Sequence, residues 1–280
     1  MTLDRRSFLA GLGAGTLGLQ GMTLPPFPPF PPFPTFPAGI QLYTLRSLMR
    51  TDFEGTLAAL AEMGYREVEF AGTFGRSGAQ VKAILDRLGL RAPAQHVGLD
   101  AFQTDAARVL EEAAAMGNQY VIVAWIPADM RRTLREWRQT AEQFNRIGAA
   151  AAAAGIQFGY HNHDYEFTPV EGRIPFDVLL EETDRDRVRY ELDLFWIAKG
   201  GQDPAAYLER HAGRFQLTHV KDMAADGSMV DPGAGVMDFA RLLPLAWEKG
   251  VRHYFIEHDE PGDALATARA GVALLNRLSS

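Results

Sequence analysis

Two histidines one residue apart follow an apolar run in the stretch IQFGYHNHDYEF, Ile156 to Phe167. If the run is an extended strand, residues two positions apart face the same side, so His161 and His163 project together. Paired imidazoles can bind a metal ion or transfer protons. The alternative is a polar loop in which the two imidazoles only hydrogen bond with their neighbours. The rest of the chain must decide between these interpretations.

Acidic or imidazole groups also end three later apolar runs, at Asp193, His219 and Glu257. Together with His161 they offer two imidazoles and two carboxylates, a mixed set that suits Mn, Co, Fe, Zn or Ni better than Mg or Ca. The alternative is that the carboxylates pair with nearby Arg or Lys and that His219 packs in the core. One divalent metal ion is therefore a hypothesis that needs a fold in which strand ends meet.

Strand-like and helix-like segments alternate strictly after Ala38. The strand-like segments are Gly39 to Tyr43, Glu67 to Phe70, Arg91 to His96, Tyr120 to Ala124, Ile156 to His161, Val188 to Asp193, Phe215 to His219 and Tyr254 to Glu257. The helix-like segments are Phe53 to Met63, Ala79 to Leu88, Thr104 to Met116, Arg131 to Ala154, Pro175 to Glu182, Pro204 to His211, Asp238 to Trp247 and Asp263 to Leu278. Glycine follows several helices, at Gly64, Gly89, Gly117, Gly155 and Gly250, where a left-handed cap favours it.

Eight such units in about 240 residues predict an α/β fold, a closed (β/α)8 TIM barrel forming a single domain. An open doubly wound sheet is the main alternative, but no G-x-G-x-x-G motif follows the first strand to support it. A barrel brings the carboxyl ends of its strands to one mouth. The side chains at those ends that could do chemistry are Gln41, Tyr43, Glu69, His96, Trp125, His161, His163, Asp193, His219, Lys221 and Glu257. Charged residues at the opposite ends of the strands, Arg66, Glu67 and Arg91, are predicted to be solvated. Groups that could do chemistry are therefore concentrated at one end of the barrel, which indicates an enzyme.

Composition restricts the class of partner. The chain has 280 residues, no cysteine, 47% hydrophobic residues and a net charge of -7. These values suit one globular domain with a sizeable core and argue against a nucleic-acid partner, which usually requires a basic face. No arginine cluster for phosphate stands out, so a neutral sugar, keto sugar or glycoside is the preferred small-molecule substrate.

The first 37 residues precede the predicted barrel, which spans residues 38–280. Residues 1–24 contain Asp4-Arg5-Arg6-Ser7-Phe8-Leu9 followed by a weakly apolar, glycine-rich run, which together indicate a twin-arginine (Tat) export signal and a periplasmic location. The run is too weakly apolar to predict a stable membrane span. Residues 25–37, PPFPPFPPFPTFP, predict a stiff spacer, and a proline-rich ligand for a binding module is the alternative.

Seven motifs resemble the xylose isomerase-like, sugar phosphate isomerase/epimerase superfamily. They are GIQLYTLR, GYREVEFAG, QHVGLD, YHNHDYEF, ELDLFWIAKGGQDP, THVKDM and FIEHDEPG, and the resemblance covers the body from about Gly39 to Leu278. The resemblance implies one divalent metal held by Glu, Asp, His and Glu from strands five to eight. Here the last three positions are Asp193, His219 and Glu257, whereas the first is His161 instead of the usual Glu.

The imidazole at position 161 casts doubt on a symmetric epimerisation, because the resemblance implies that this Glu and the eighth-strand Glu share proton transfer. His163 matches a histidine found in dehydratase relatives and could take over as acid or base. We therefore prefer His161 as the ligand and His163 as the catalyst over the reverse assignment.

The mechanism expected from these residues is proton abstraction next to a carbonyl through an enediolate, with the metal as Lewis acid. The catalytic candidates are His163, Glu257, His96 and Lys221, and the candidate sugar-binding residues are Gln41, Glu69, Trp125 and Trp196. Reprotonation would make the protein a sugar isomerase or epimerase, which we narrowly prefer, and loss of a β-substituent would make it a lyase or dehydratase. A noncatalytic sugar-binding barrel and a metal-dependent endonuclease for abasic DNA are the alternatives from other classes.

Overall fold

The computed structural model describes residues 38–279. The predicted export signal, residues 1–24, and the proline-rich spacer, residues 25–37, lie outside the described residues and stay predictions. Within the described range, no helix combines the length and the apolar character needed to cross a membrane.

Eight parallel strands form a closed barrel, which confirms the predicted fold class. Named β1 to β8 in chain order, the strands are Ala38–Gln41, Glu67–Phe70, Arg91–His96, Tyr120–Val123, Gln157–His161, Val188–Asp193, Phe215–Val220 and His253–Ile256. Each strand pairs with its neighbours in the chain, and β8 closes the barrel against β1 through Gly39 and Phe255. All strands therefore point their carboxyl ends to one mouth.

Ten α-helices surround the barrel in the described part of the chain. Named α1 to α10, they are Arg46–Thr51, Phe53–Met63, Gly78–Leu88, Leu99–Met116, Leu134–Ala153, Pro175–Glu182, Leu194–Lys199, Pro204–Arg210, Phe239–Glu248 and Ala264–Leu278. Three helices end at a left-handed glycine, Gly64, Gly89 or Gly117, as the sequence predicts. Capping boxes start α3 at Ser77 and α5 at Thr133, because each side chain accepts a hydrogen bond from the backbone three residues on.

The inside of the barrel is filled in layers. A single apolar layer, formed by Ala94, Ile122, Leu217 and Phe255, lies at mid-height. Glycine completes this layer, because a Cβ atom on Gly39 would come within 2.6 Å of the Phe255 ring. Above this layer the inward residues of the strands are polar and carry the groups described below.

Glu67 corrects one prediction. Its carboxylate is fully buried at the closed end of the barrel, 2.9 Å from His253 Nδ1 and 3.1 Å from Arg91 Nε, instead of being solvated. Strand residues alternate between faces, so Glu67 points to the same interior as Glu69. The prediction that Glu67 is solvated, which rested on its charge alone, is therefore wrong.

Two mouth loops differ from the predicted strand ends. Strand β1 ends at Gln41 and a 3₁₀ turn, Leu42–Leu45, follows, so Tyr43 lies in that turn. Strand β4 ends at Val123, and Trp125 therefore lies in the loop beyond it. Helix α7, which the sequence did not predict, begins directly after Asp193, whose side chain accepts a hydrogen bond from the Trp196 amide.

Candidate metal and catalytic site

Four donor side chains meet at the mouth of the barrel. His161 ends β5, Asp193 ends β6, His219 lies near the end of β7 and Glu257 directly follows β8. We name these four the upper donor cluster. All four are buried, and one donor atom of each lies within 4.8 Å of those of the other three. The barrel thus collects groups that are up to 96 positions apart in the chain, from His161 to Glu257.

The spacing of these donors fits a transition-metal ion. His161 Nε2 lies 3.0 Å from His219 Nδ1 and 3.2 Å from Asp193 Oδ2. His219 Nδ1 lies 2.6 Å from Glu257 Oε2 and 3.7 Å from Asp193 Oδ2. Ligands at bond lengths of about 2.0 to 2.2 Å around one ion are separated by about 3 Å, as these atoms are.

The protonation of His161 also suits a ligand. Burial, together with the neighbouring His219 and His163, lowers the pKa of His161 well below its usual value. The ring is therefore neutral near pH 7, and a neutral imidazole has the lone pair that a metal requires. The set of two imidazoles and two carboxylates is a mixed nitrogen and oxygen site, as Mn, Co, Fe, Zn or Ni prefer.

A second group of donors lies directly below and shares His219. It consists of Glu69, His96, Glu191 and His219, which we name the lower donor cluster. His219 Nε2 lies 2.7 Å from Glu69 Oε2 and 3.2 Å from Glu191 Oε2, while His96 Nε2 lies 2.8 Å from Glu191 Oε2. Such carboxylates on the far nitrogen of a ligating histidine fix its ring orientation and raise its basicity.

Glu191 was missed in the sequence. It precedes Asp193 by two positions in β6, and the same alternation that relates His161 to His163 would have assigned both carboxylates to the barrel interior. A register irregularity between Tyr190 and Glu191 accompanies the pairing of β6 with β7. Glu191 contributes to the support of His219, a role that a strand-end search alone does not find.

Gln41 and Glu69 lie beneath the mouth. Both are fully buried, and Gln41 Nε2 donates a 2.8 Å hydrogen bond to Glu69 Oε2. In this position Gln41 holds Glu69, which in turn contacts His219. Their predicted contact with sugar hydroxyls stays a prediction, because neither side chain lines the mouth cavity.

Lys221 is surrounded by carboxylates. Its Nζ lies 3.0 Å from Asp193 Oδ2, 2.8 Å from Glu257 Oε2 and 2.8 Å from Asp259 Oδ1. Burial opposes the charge, but these three carboxylates together raise the pKa of Lys221 above its usual value. The group is therefore an ammonium that orients two members of the upper donor cluster and can also donate a hydrogen bond into the mouth.

His163 lies beside the upper donor cluster, with its ring centroid 4.9 Å from that of His161. Aromatic rings surround it: Tyr165 is stacked at 5.7 Å, and Trp125 and Trp196 each lie at 5.5 Å. Burial and the nearby Lys221 ammonium lower the pKa of His163 to about 4. His163 is therefore a neutral imidazole near pH 7, which is the form a general base requires.

Two further residues, which the sequence analysis did not assign, stabilise the loop that follows β5 and carries His163. Asn162 Oδ1 accepts a 3.0 Å hydrogen bond from the Asp193 amide and joins β5 to β6. Buried Glu166 accepts a 2.9 Å hydrogen bond from the His163 amide and a second, short one from the Tyr160 hydroxyl. The Asn and Glu of YHNHDYEF therefore position its two histidines.

Replacing Glu166 with glutamine is expected to change how stability depends on pH. Burial raises the pKa of Glu166 to about 7, against 4.5 for the free group, and its hydrogen bonds offset this only in part. The protonated form stabilises the fold fully below pH 4.5, and this stability is lost as pH rises to about 7. The glutamine amide can donate to Tyr160 and accept from His163 at any pH, so Glu166→Gln should gain about 2.5 kcal/mol over wild type between pH 5 and pH 8.

Urea unfolding at the two pH values measures this difference. The exposed Glu62→Gln variant is the matched control and should track wild type at both values. An equal difference between wild type and Glu166→Gln at pH 5 and pH 8 would contradict the assignment of a raised pKa.

The mouth opens into a cavity of about 440 Å³. Its lining residues are Tyr43, Ala71, His96, Ala124, Trp125, His161, His163, Lys221, Glu257, Asp259 and Glu260. Of the predicted site residues, the cavity therefore contains Trp125, the predicted ligand His161 and all four catalytic candidates. Trp196 lies behind them, with Lys221 Nζ 5.6 Å from its ring, so its stacking on a sugar stays a prediction.

Comparison with known proteins agrees with this architecture. An inosose dehydratase from Geobacillus kaustophilus is 26% identical, over 75% of this chain and 80% of the relative. A crystal structure of a sugar phosphate isomerase/epimerase from Parabacteroides distasonis superposes with a TM-score of 0.74 at 26% identity, covering 85% of this chain and 93% of that one. The IOLI protein, whose structure has a binding zinc atom, shares the fold at 13% identity with a TM-score of 0.71, over 87% of this chain and 98% of that one.

A family model described as "Xylose isomerase-like TIM barrel" matches residues 57–278. The match begins in α2 and ends with α10, so it includes seven of the eight strands and every member of the two donor clusters. The chain belongs to the xylose isomerase-like TIM barrel family.

Proposed function

We propose that this protein is a metal-dependent lyase that removes a proton next to the carbonyl of a neutral keto sugar or keto polyol and expels a β-substituent. The observation that carries the proposal is the cavity that joins a neutral base, His163, to protonated donors and to the upper donor cluster. A base on one side and an acid on another are what elimination requires.

The residues of the upper donor cluster, His161, Asp193, His219 and Glu257, would hold one divalent ion. When bound, that ion would act as a Lewis acid on the carbonyl and favour the loss of the adjacent proton. The zinc atom of the IOLI structure supports this choice of cofactor class.

The protein groups account for both ends of the elimination. His163 takes the proton from the carbon next to the carbonyl, and the electron pair of that C–H bond forms a carbon–carbon double bond. The bond from the β-carbon to the leaving oxygen breaks, and that oxygen takes a proton from His96, while the Lys221 ammonium can donate a hydrogen bond to it. The pKa of His96 is raised because the Glu69 and Glu191 carboxylates outweigh the effect of burial, so His96 is suited to supply this proton.

The histidine at position 161 favours elimination over epimerisation. Epimerisation needs proton-transfer groups on both faces of one carbon, whereas His161 is buried and directed at Asp193 and His219. Eight relatives that match by sequence are inosose dehydratases, and one of them aligns over most of its length, which supports the same outcome. This reverses the narrow preference for isomerisation that the sequence alone suggested.

A sugar isomerase or epimerase is the second candidate. The sugar phosphate isomerase/epimerase structure from Parabacteroides distasonis supports it, with 26% identity over nearly the whole of that chain. Glu257 lines the same cavity as His163, so a second proton-transfer group is also present.

Reaction in D₂O distinguishes these outcomes. The metal-loaded protein is incubated with keto sugars, keto polyols and keto glycosides, and the products are followed by NMR and ultraviolet absorbance. Elimination is expected to release the β-substituent and to yield an unsaturated ketone that absorbs in the ultraviolet. Isomerisation would instead incorporate deuterium next to the carbonyl without release of a group. If neither product nor deuterium exchange is found, proton abstraction is contradicted and a noncatalytic sugar-binding barrel remains.

A further inference from the structure

The mouth cavity is divided into a polar half and an apolar half. Strands β5 to β8 and the loops after them supply its lining residues His161, His163, Lys221, Glu257, Asp259 and Glu260. The segments that follow β1, β2 and β4 supply Tyr43, Ala71, Ala124 and Trp125, and among the lining residues from β1 to β4 only His96 is ionisable near pH 7. A substrate that fills the cavity therefore meets two chemically different surfaces.

The aromatic residues of the apolar half are unusually exposed. Within residues 38–279, three large hydrophobic side chains are exposed: Tyr43 at 41%, Trp125 at 53% and Val236 at 65%. Two of these three line the cavity that contains the upper donor cluster. Exposed aromatic surface at the edge of a polar site gains free energy when a ligand covers it.

Neighbouring groups hold both rings in place. Trp125 makes edge contacts with His163 and Tyr165, and the Arg131 guanidinium lies 4.7 Å from its ring centroid. On the other side, the Arg46 guanidinium lies 4.2 Å from the Tyr43 ring. Rings fixed before binding lose little conformational entropy when a ligand stacks on them.

The charges around the cavity disfavour an anionic substrate. Lys221 is the one lysine or arginine among the lining residues, and the carboxylates of Asp193, Glu257 and Asp259 surround it. At the rim, Arg46 donates hydrogen bonds to the Asp259 carbonyl and the Glu260 carboxylate. A phosphate at the polar half of the cavity would therefore meet carboxylates, and the one lysine of the lining is already paired with them.

We propose that the substrate is a neutral glycoside, with its keto sugar ring at the upper donor cluster and its second ring at the rim between Tyr43 and Trp125. This inference rests on the proposed function, because the keto sugar is the part on which the polar half acts. The two aromatic residues then set specificity for the second ring, and a free monosaccharide leaves the apolar half uncovered. The same arrangement of charge disfavours a phosphate on the keto sugar ring.

Equilibrium binding of unreactive glycosides tests this inference without turnover. Isothermal titration compares glucose, 4-nitrophenyl β-glucoside and glucose 6-phosphate on the metal-loaded full chain. We expect wild type to bind the aryl glucoside about tenfold more tightly than glucose, and glucose 6-phosphate no more tightly than glucose. Trp125→Ala and Tyr43→Ala should each reduce this preference by about 3- to 10-fold, the range of one aromatic contact.

Val236→Ala is the matched control, because it removes exposed apolar surface outside this cavity and should keep the wild-type preference. Tyr43→Ala provides a second variant whose ring does not contact His163, so the test stands even if Trp125→Ala disturbs that histidine. Equal affinity of wild type for glucose and the aryl glucoside, or an unchanged preference in both alanine variants, would overturn the inference.

Kinetics separates this inference from the proposed function. A protein that converts free keto sugars as efficiently as keto glycosides would retain the proposed function and lose the rim subsite. A protein that prefers the aryl glucoside but converts no keto sugar or keto glycoside would retain the subsite as a sugar-binding surface and lose the proposed reaction. Tighter binding of glucose 6-phosphate than of the aryl glucoside would contradict the neutral substrate.

Discussion

His161→Ala is expected to abolish stoichiometric metal binding. Wild type should hold about one divalent transition metal per chain, because His161 Nε2 lies 3.0 Å from His219 Nδ1 and 3.2 Å from Asp193 Oδ2, and all three side chains are buried. Loss of outer-sphere partners weakens metal affinity by about 10- to 100-fold, so loss of a ligand should weaken it by more than about 100-fold. Elemental analysis of dialysed, tag-free protein measures the metal content.

His219→Ala and Glu257→Ala should lose the metal as well, since each supplies another donor of the upper cluster. His211→Ala is the matched control: it removes a partly exposed histidine whose ring contacts Tyr207 and Phe215, outside both donor clusters. Circular dichroism distinguishes metal loss from unfolding. A wild-type protein that contains no metal and takes up none of Mn, Co or Zn would contradict the site and the mechanism built on it.

The barrel could be predicted from the sequence because the alternation of strands and helices is indicated both by the hydrophobic pattern and by the residues at the helix ends. Short apolar runs alternate with amphipathic segments, and glycines such as Gly64 and Gly117 mark helix ends with left-handed backbone. The parallel pairing then places strand ends together whatever their separation in sequence. The sequence alone therefore groups His161, Asp193, His219 and Glu257.

Acidic residues that lie below the carboxyl ends of the strands were harder to find. Glu191 lies two positions before the end of β6 and Glu67 begins β2, and their burial depends on which face of the strand points into the barrel. That face follows from the two-residue alternation that links Glu191 to Asp193 and Glu67 to Glu69, but a search limited to residues at strand ends does not use it. Glu67 was accordingly predicted to be solvated, and Glu191 was not assigned.

The direction of side chains in the loops depends on local turns. Gln41 directly precedes a 3₁₀ turn, and its side chain accepts a hydrogen bond from the Tyr43 amide, which together with Glu69 fixes it below the cavity. Trp196 lies in the first turn of α7, where its amide donates a hydrogen bond to the N-cap residue Asp193. Neither turn has a motif strong enough to predict these directions, so the sequence identified polar and aromatic candidates without ordering them by depth.

His163→Ala is expected to lower kcat by about 10²- to 10⁴-fold while the metal content stays at the wild-type level. The loss is the usual contribution of a general base, and His163 lines the cavity as a neutral imidazole without a hydrogen-bond partner for its buried Nδ1 atom. Steady-state kinetics and elemental analysis of the same preparation give the two values. KM should change little, because the upper donor cluster remains intact.

The same pair of measurements decides which histidine of the H-x-H motif is the ligand. His161→Ala should lose both metal and turnover, whereas His163→Ala should lose turnover alone, and added imidazole should restore part of its activity by entering the vacated space. Loss of metal from His163→Ala with retention in His161→Ala would reverse the two roles. A His163→Ala enzyme with kcat within about threefold of wild type would exclude His163 as the base and transfer that role to Glu257, the remaining carboxylate of the cavity that both contacts His219 and faces the substrate space.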